Sequence, residues 1–147
     1  MLAAQLAEEF PVVSLDTDAL EAARLMAEHR LPGILVMGRD GCPAAVLGAW
    51  QVVRFIIPQY VQDDPSLAGV LDEPLCDKTA KRLRGKTVRD VMPEKPGSVP
   101  AARPDDTLIE VAATMARHRS PIVAVLENRR LLGVVTSSRL LAAALQV

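Results

Sequence analysis

PVVSLDTDALEAARLMAEHRLPGILV (residues 11–36) occurs a second time, in diverged form, as PAARPDDTLIEVAATMARHRSPIVAV (residues 100–125). A shift of 89 positions aligns the two stretches without a gap and gives ten identities. Such a repeat implies two copies of one supersecondary unit, with a symmetric cleft where the copies meet. The identical pairs are Pro11/Pro100, Asp16/Asp105, Glu21/Glu110, Ala23/Ala112, Met26/Met115, Ala27/Ala116, His29/His118, Arg30/Arg119, Pro32/Pro121 and Val36/Val125.

The size of the chain predicts that the two copies pack together. The 147 residues match one ordinary domain, so each copy has only about 60 residues and must bury a face against its twin. Half of the residues are hydrophobic, but only four are Phe, Trp or Tyr, so the core must consist of aliphatic side chains and Met. A net charge of −1 gives no global electrostatic reason to bind nucleic acid or a membrane.

The cysteines and the N-terminus predict a cytoplasmic protein. Cys42 and Cys76 lack a metal-ligand spacing and are expected to be reduced thiols. The opening MLAAQLAEEF carries Glu8 and Glu9 and has no basic region, so no secretory signal is predicted. No apolar stretch approaches about 18 residues, so we expect no membrane insertion.

Each copy is predicted to contain an amphipathic helix after a short strand. Asp18 with Glu21, and Thr107 with Glu110, fit a capping box at equivalent positions. Apolar residues follow at helical spacing in both copies. They are Ala19, Ala22, Ala23 and Met26 in the first copy, and Leu108, Val111, Ala112 and Met115 in the second.

A hairpin and a second helix follow the proline that ends each first helix, Pro32 or Pro121. The predicted strands are 34–37 and 44–47 in the first copy and 122–126 and 131–135 in the second, and the closing helices are 49–57 and 137–146. The order is therefore β-α-β-β-α, twice, which predicts an α+β fold of mixed layers.

A stretch of about thirty residues, 58–88, separates the copies. Its first half is acidic and its second half is basic, which favours a solvated helix or a mobile arm over a plain connector. The acidic residues are Asp63, Asp64, Asp72, Glu73 and Asp77, and the basic residues are Lys78, Lys81, Arg82, Arg84 and Lys86, followed directly by Arg89.

Two motifs resemble the cystathionine-β-synthase (CBS) domain pair, or Bateman module: TVRDVMP (residues 87–93) and LLGVVTSSRLL (residues 131–141). The resemblance implies two CBS-type repeats packed by their sheets with pseudo-two-fold symmetry, at residues 1–58 and 87–147, joined by a partly helical linker at 59–86. It also implies a homodimer, and clefts that bind AMP, ADP, ATP or S-adenosylmethionine.

The ligand signature of that family is degenerate in both copies. The family pattern is a glycine, two apolar residues, Thr or Ser, two variable residues and an Asp that binds ribose. The second copy keeps the hydroxyl as Thr136 but has Arg139 at the acid position, whereas the first copy has Gly48 and Gln51 at these positions. Because a guanidinium only donates hydrogen bonds, Arg139 suits a phosphate or another small anion better than a ribose.

The second cleft is therefore the better candidate from the sequence, since Thr136 should precede a helix N-terminus that favours anions. Simpler roles remain open: Thr136 or Ser137 as a helix cap, Arg139 as a surface residue or ion-pair partner, and Trp50 as core filler or cleft lining. The candidate ligand-binding residues are Thr136, Ser137, Ser138, Arg139, Val99, Ala101, Pro121, Ile122, Gly48 and Gln51.

No catalytic or metal-binding constellation is apparent, so the sequence predicts a regulatory protein that is not an enzyme. It would sense a small ligand between the repeats and regulate a partner protein. The alternative is a ligand-free dimeric docking subunit for a transporter or an enzyme. Binding of nucleic acid through the basic part of the linker is a third and weaker hypothesis, because aromatic residues are few and the net charge is close to zero.

Overall fold

The computed structural model describes residues 1–57, 59–70 and 80–146, and it confirms the predicted β-α-β-β-α order in both copies. The helices are α1 (Ala3–Leu6), α2 (Ala19–Glu28), α3 (Ala49–Ile56), α4 (Gln59–Asp63), α5 (Val88–Val91), α6 (Leu108–His118) and α7 (Ser137–Leu145). The strands are β1 (Val12–Ser14), β2 (Gly33–Met37), β3 (Pro43–Gly48), β4 (Ala101–Ala102), β5 (Ile122–Glu127) and β6 (Arg130–Thr136). We call the unit around β1–β3 the first unit and the unit around β4–β6 the second unit.

Each unit contains a three-stranded sheet with the same topology. The order is β1-β2-β3 in one sheet and β4-β5-β6 in the other, and the central strand runs parallel to the first strand and antiparallel to the third. Both central strands are almost continuously buried, since helices cover one face of each sheet and the other sheet covers the second face.

The two sheets pack face to face through a small aliphatic core. Leu35 of the first unit meets Ile122, Ala124 and Val134 of the second, and all four side chains are at most 1% exposed. Full burial of a large aliphatic side chain contributes about 1.5–3 kcal/mol, so this layer stabilises the packing of one unit on the other.

The leading helix of the chain packs on the second unit rather than on the first. The Ala3 N–H donates to the Asp106 carbonyl at 2.8 Å, and the Leu108 N–H donates to the Met1 carbonyl at 3.1 Å. Ala3 and Leu6 are fully buried in the second unit's helix–sheet core. Helix α1 therefore completes the half of the molecule that lies furthest from it in sequence.

Helix α5 makes the reciprocal contact: it precedes the second unit in sequence but packs on the first unit. The Val88 N–H donates to the Thr17 carbonyl at 2.8 Å, and the Ala19 N–H donates to the Lys86 carbonyl at 2.9 Å. Val88 is fully buried in the first unit's core. The TVRDVMP motif thus opens the second repeat in sequence but completes the first unit in space.

Helix α6 of the second copy begins with the predicted capping box, whereas α2 of the first copy begins with a single side-chain cap. Thr107 and Glu110 form a capping box, with Thr107 Oγ1 accepting the Glu110 N–H at 3.3 Å and Glu110 Oε1 accepting the Thr107 N–H at 3.4 Å. In the first copy, Asp18 Oδ1 accepts the Leu20 N–H at 3.2 Å. The short carboxylate of Asp18 reaches the second helical N–H, so this cap differs from the box predicted with Glu21.

The linker contributes ordered elements on both sides of residues 71–79. Helix α4 and a 3₁₀ helix, Pro65–Val70, follow the first unit, and residues 80–83 are helical. Lys81, Arg82 and Arg84 of the basic run are exposed, whereas Leu83 is buried in the first unit's core. Asp72, Glu73, Asp77 and Lys78 lie outside the described residues, as does Cys76.

No helix in the described ranges has both the length and the apolarity to cross a membrane. Cys42 is a free thiol whose Sγ–H donates to the Arg129 carbonyl at 3.5 Å, where the hairpin turns of the two units meet.

The two connections from leading helix to first strand differ in length. Five residues, 7–11, separate α1 from β1, whereas nine residues, 92–100, separate α5 from β4. In the short connection Glu8 pairs with Val134 through two backbone hydrogen bonds of 2.9 and 3.0 Å. This approach requires a glycine at position 133, because a Cβ there would lie 2.9 Å from the Glu8 carbonyl oxygen and 3.0 Å from Ala7 Cβ.

We expect Gly133→Ala to lower the free energy of unfolding by about 1–3 kcal/mol, the usual cost of forcing an extra methyl group into a packed site. The matched control is Gly69→Ala, because a Cβ at Gly69 meets nothing within 4 Å. Urea denaturation followed by circular dichroism measures both variants. Equal unfolding free energies for the two variants would show that the short connection does not press on β6.

Candidate functional site

The residues predicted for the second cleft lie where α7 begins. Thr136 Oγ1 accepts the Arg139 N–H at 3.2 Å, and the Ser137 N–H donates to the Pro121 carbonyl at 2.9 Å. Thr136 is therefore a helix cap, and the protein itself uses two of the N–H groups at this helix start. Ser138 is exposed, and its hydroxyl lies 3.2 Å from Thr136 Oγ1.

The N-terminal segment supplies the contacts of the Arg139 guanidinium. Arg139 Nη2 donates to the Gln5 carbonyl at 3.4 Å, and its Nε lies 4.0 Å from Glu8 Oε1. That Nε is buried and makes no hydrogen bond with the described residues. The acid that faces Arg139 thus belongs to the same chain, and the short connection covers the part of the second cleft where the sequence favoured an anion.

The pseudo-symmetric position in the first unit is an open groove of about 380 Å³. We call it the inter-unit groove, because its walls come from α3 and β3 on one side and from the α6–β5 turn on the other, with the long connection along one edge. The lining residues are Val46, Gly48, Trp50, Gln51, Met92, Pro93, Pro96, Gly97, Ser98, Pro100, His118, Arg119, Ser120 and Pro121. Of the predicted candidates, the groove brings together Gly48, Gln51 and Pro121.

The indole of Trp50 lies directly on the backbone of Gly48. A Cβ at position 48 would be 2.6 Å from Trp50 Nε1 and 2.7 Å from Trp50 Cδ1. Trp50 is nonetheless 62% exposed, so the interpretation of this residue as core filler is wrong and the cleft-lining interpretation holds. The glycine that replaces the signature hydroxyl therefore makes room for an exposed aromatic surface in the groove.

The start of α3 differs from the start of α7 because Gly48 has no side chain to cap it. Gln51 Oε1 accepts the Gly48 N–H at 2.8 Å, and the Ala49 N–H donates to the Pro32 carbonyl at 2.9 Å. Among the described residues, no side chain caps the N–H groups that follow. Uncapped N–H groups and the helix dipole favour an anion at this end of the groove.

The opposite wall carries polar side chains from the end of α6. Arg119 is exposed and adopts a left-handed conformation with φ 50°, which turns the chain sharply into the groove wall. His118 Nδ1 lies 2.9 Å from the Thr114 carbonyl, so its Nε2 remains for another partner. The described lining contains no carboxylate, so the groove presents net positive charge.

Three predicted candidates lie behind or beside the groove. Ile122 is fully buried and Val99 is partly buried, both in the layer between the sheets, while Ala101 is exposed on β4. His118 and Arg119 also line the groove, although in the sequence they stand out only as identical positions of the repeat and were not among the predicted candidates. Both residues are identical in the two copies, which could have drawn attention to them. This identity, however, reflects the turn after the first helix that both units share and does not indicate the groove of either unit.

No group of three or more His, Cys, Asp or Glu side chains is arranged to hold a metal ion within residues 1–57, 59–70 and 80–146.

We expect Gly48→Ala to displace the indole of Trp50 and to increase its accessibility. Trp50 is the only tryptophan of the chain, so iodide quenching of intrinsic fluorescence reports on this side chain alone. Gly97→Ala is the control, because Gly97 lines the same groove and a Cβ there meets nothing within 4 Å. Identical quenching in the wild type and Gly48→Ala would contradict the contact between Trp50 and Gly48.

Comparisons with known proteins give one consistent answer. The model of the CBS domain family matches residues 4–58 and 88–146. A CBS domain-containing protein of unknown function from Kribbella flavida DSM 17836 is 53% identical, with a TM-score of 0.87 and 99% of both chains covered. The sequence has no significant match among functionally curated proteins.

More distant solved structures share the fold at lower identity. CBSX2 in complex with AMP has 17% identity and a TM-score of 0.68, with 99% of this chain and 96% of that chain covered. A putative signal-transduction protein with CBS domains from Burkholderia ambifaria MC40-6 has 17% identity and a TM-score of 0.70, with 99% and 95% covered.

Proposed function

The chain belongs to the CBS-domain family, and from this premise we propose that it is a non-enzymatic regulatory protein that binds one adenine nucleotide in the inter-unit groove. The observation that carries the proposal is the combination of an exposed tryptophan, an uncapped helix start and an arginine around one groove between the units. The AMP complex of CBSX2 shows that a protein of this fold accepts such a ligand. The proposed setting is the cytoplasm.

Each part of the groove suits one part of a nucleotide. The Trp50 ring offers a stacking surface for the base, an interaction of about 1–3 kcal/mol for exposed aromatic platforms. The start of α3 and the Arg119 guanidinium suit the phosphate. Gln51 uses its Oε1 on the Gly48 N–H, so its amide nitrogen is the group that it can offer to ribose hydroxyls.

The proposed mechanism follows from the position of the groove between the units. A nucleotide that contacts α3 of the first unit and Arg119 of the second favours one relative orientation of the two sheets over others. Binding then shifts the population toward that orientation. A partner protein, such as a transporter or an enzyme, binds the two orientations differently and is regulated in this way. The site differs from the one favoured by the sequence, because Glu8 and Gln5 already contact Arg139 in the second cleft.

The covered second cleft also supports an alternative function. If both clefts work without a ligand, the protein is a dimeric docking subunit whose clefts are filled by its own chain. The contacts of Arg139 with Gln5 and Glu8 favour this description for the second cleft. The open groove at Trp50 favours nucleotide binding for the first.

We expect AMP to bind with a stoichiometry of one per chain, and Arg119→Asn to weaken its binding about tenfold, because a charge-assisted hydrogen bond to the phosphate is lost. Asn tolerates the left-handed backbone of this position. Isothermal titration calorimetry measures both the stoichiometry and the affinity.

The matched control for this variant is Arg30→Asn. Arg30 occupies the equivalent left-handed position of the first repeat, with φ 53°, and does not line the groove. Its substitution should leave AMP binding within about twofold of the wild type, well below a tenfold effect. Absence of binding by the wild type to AMP, ADP and ATP would refute nucleotide sensing and favour the docking alternative.

We also propose that the protein forms a homodimer through the outer helices. Val53 on α3 and Leu141 on α7 occupy equivalent positions of the two units and are 52% and 57% exposed. An apolar groove of about 210 Å³, lined by α2 and α3 residues including Ala23 and Ala27, adjoins Val53. A second copy of the chain fits this face, since both units present aliphatic side chains there in a pseudo-symmetric pattern.

We expect Val53→Arg to convert the dimer to a monomer, because it places a charge in the apolar interface. Leu132→Arg is the control, since Leu132 is an aliphatic residue of similar exposure, 44%, on the β6 strand away from these helices. Light scattering coupled to gel filtration gives the mass of each variant. A wild type that is monomeric at micromolar concentration, or a dimer in both variants, would overturn this interface.

A further inference from the structure

A second cavity lies between α3 and the linker, next to the inter-unit groove. We call it the linker cavity, and its volume is about 570 Å³, within the usual size range of ligand pockets. It is lined by Trp50, Gln51, Arg54, Phe55, Ile57, Gln59, Gln62, Arg82, Val91, Met92 and Pro93. Trp50 and Gln51 fall within the stretch that aligns with the family's ligand signature, and the other lining residues lie outside it.

The linker is a fixed wall of this cavity on its α4 side. Gln62 Nε2 donates to the Arg54 carbonyl at 2.9 Å and to the Ile57 carbonyl at 2.8 Å, which ties α4 to the end of α3. Leu83, next to Arg82, is only 3% exposed in the first unit's core. The position of the Arg82 backbone is thus set by the burial of its neighbour, although its own side chain is exposed.

The charged groups of the linker cavity have one sign. Arg54 comes from α3 and Arg82 from the basic run of the linker, and none of the described lining residues is an acid. Asp63 lies next to the cavity, where its Oδ1 accepts a hydrogen bond from the Gln59 amide at 3.0 Å. Two guanidinium groups on one cavity with this lining suit an anion that carries several charges.

The linker cavity and the inter-unit groove meet at shared residues. Trp50, Gln51, Met92 and Pro93 line both. Arg54 follows Trp50 by four positions on α3, so it lies on the same helix face, about 6 Å further along the axis. A ligand whose first phosphate lies at the start of α3 can therefore extend its further phosphates past Trp50 toward Arg54 and Arg82.

We propose that the linker cavity is a polyphosphate subsite, in which Arg54 and Arg82 bind the phosphates of a nucleotide beyond the first. The inference rests on the proposed nucleotide binding in the inter-unit groove and names its ligand class as a nucleoside triphosphate or diphosphate. It also assigns a role to Arg82 of the basic run, because a bound phosphate chain would join this linker residue to α3 of the first unit.

The test compares AMP, ATP and tripolyphosphate at one ionic strength, with Trp50 fluorescence as the readout of binding. We expect ATP to bind at least about tenfold more tightly than AMP to the wild type. Arg82→Gln and Arg54→Gln should each weaken ATP about five- to tenfold and leave AMP within about twofold, since each removes one charge-assisted contact to outer phosphates. Circular dichroism confirms that both variants are folded.

Arg84→Gln is the matched control, because Arg84 is an exposed member of the same basic run and does not line the cavity. Equal losses for Arg84→Gln and Arg82→Gln would overturn the subsite in favour of general charge attraction, as would unchanged ATP affinity in Arg82→Gln. AMP binding with no preference for ATP refutes the subsite while the proposed function stands. If neither nucleotide binds, the proposed function is refuted. If tripolyphosphate then still changes the Trp50 fluorescence of the wild type but not that of Arg82→Gln, the cavity is an anion site that does not bind nucleotides.

Discussion

The exchange of leading helices is the interaction on which the rest of this structure depends. Helix α1 fills the core of the second unit and α5 fills the core of the first, each through backbone hydrogen bonds and fully buried aliphatic side chains. Neither unit can leave the other without exposing its own core. The sheet-to-sheet layer around Leu35 and Ile122 is thereby held together by two reciprocal attachments as well as by its own burial.

The exchange also explains why two similar repeats present different clefts. Both leading helices are anchored on the opposite unit, so the chain that follows each must cross the cleft between the units to reach its own sheet. The five-residue connection after α1 is short enough that Glu8 pairs with β6. The nine-residue connection after α5 runs along the edge of an open groove. The difference in loop length, together with glycine at positions 48 and 133, breaks the symmetry between the two clefts.

The sequence predicted the architecture well because repeats, caps and prolines act locally. The β-α-β-β-α order and the closing helices follow from periodicity and from residues such as Thr107 and Pro121, and the structure agrees within one or two residues. The candidate site was harder to predict, because it depends on which segment crosses which cleft. Retention of Thr136 favoured the second cleft, but only the fold shows that Thr136 caps α7 and that Glu8 faces Arg139. The loss of the hydroxyl at Gly48 has a physical reason in the indole of Trp50.

The exchanged helices have a consequence for how such a protein arises. A single repeat that folds in this way lacks a partner for its own leading helix and is complete only when a second copy supplies one. The tandem chain is therefore equivalent to a covalently fused dimer, with the linker replacing free termini. Fusion releases the two halves from having identical sequences, so the short connection of the first repeat can cover part of the second unit's cleft while the longer connection of the second repeat leaves the first unit's groove open. A tandem chain can therefore hold two unlike clefts, which a symmetric dimer of one identical repeat cannot hold.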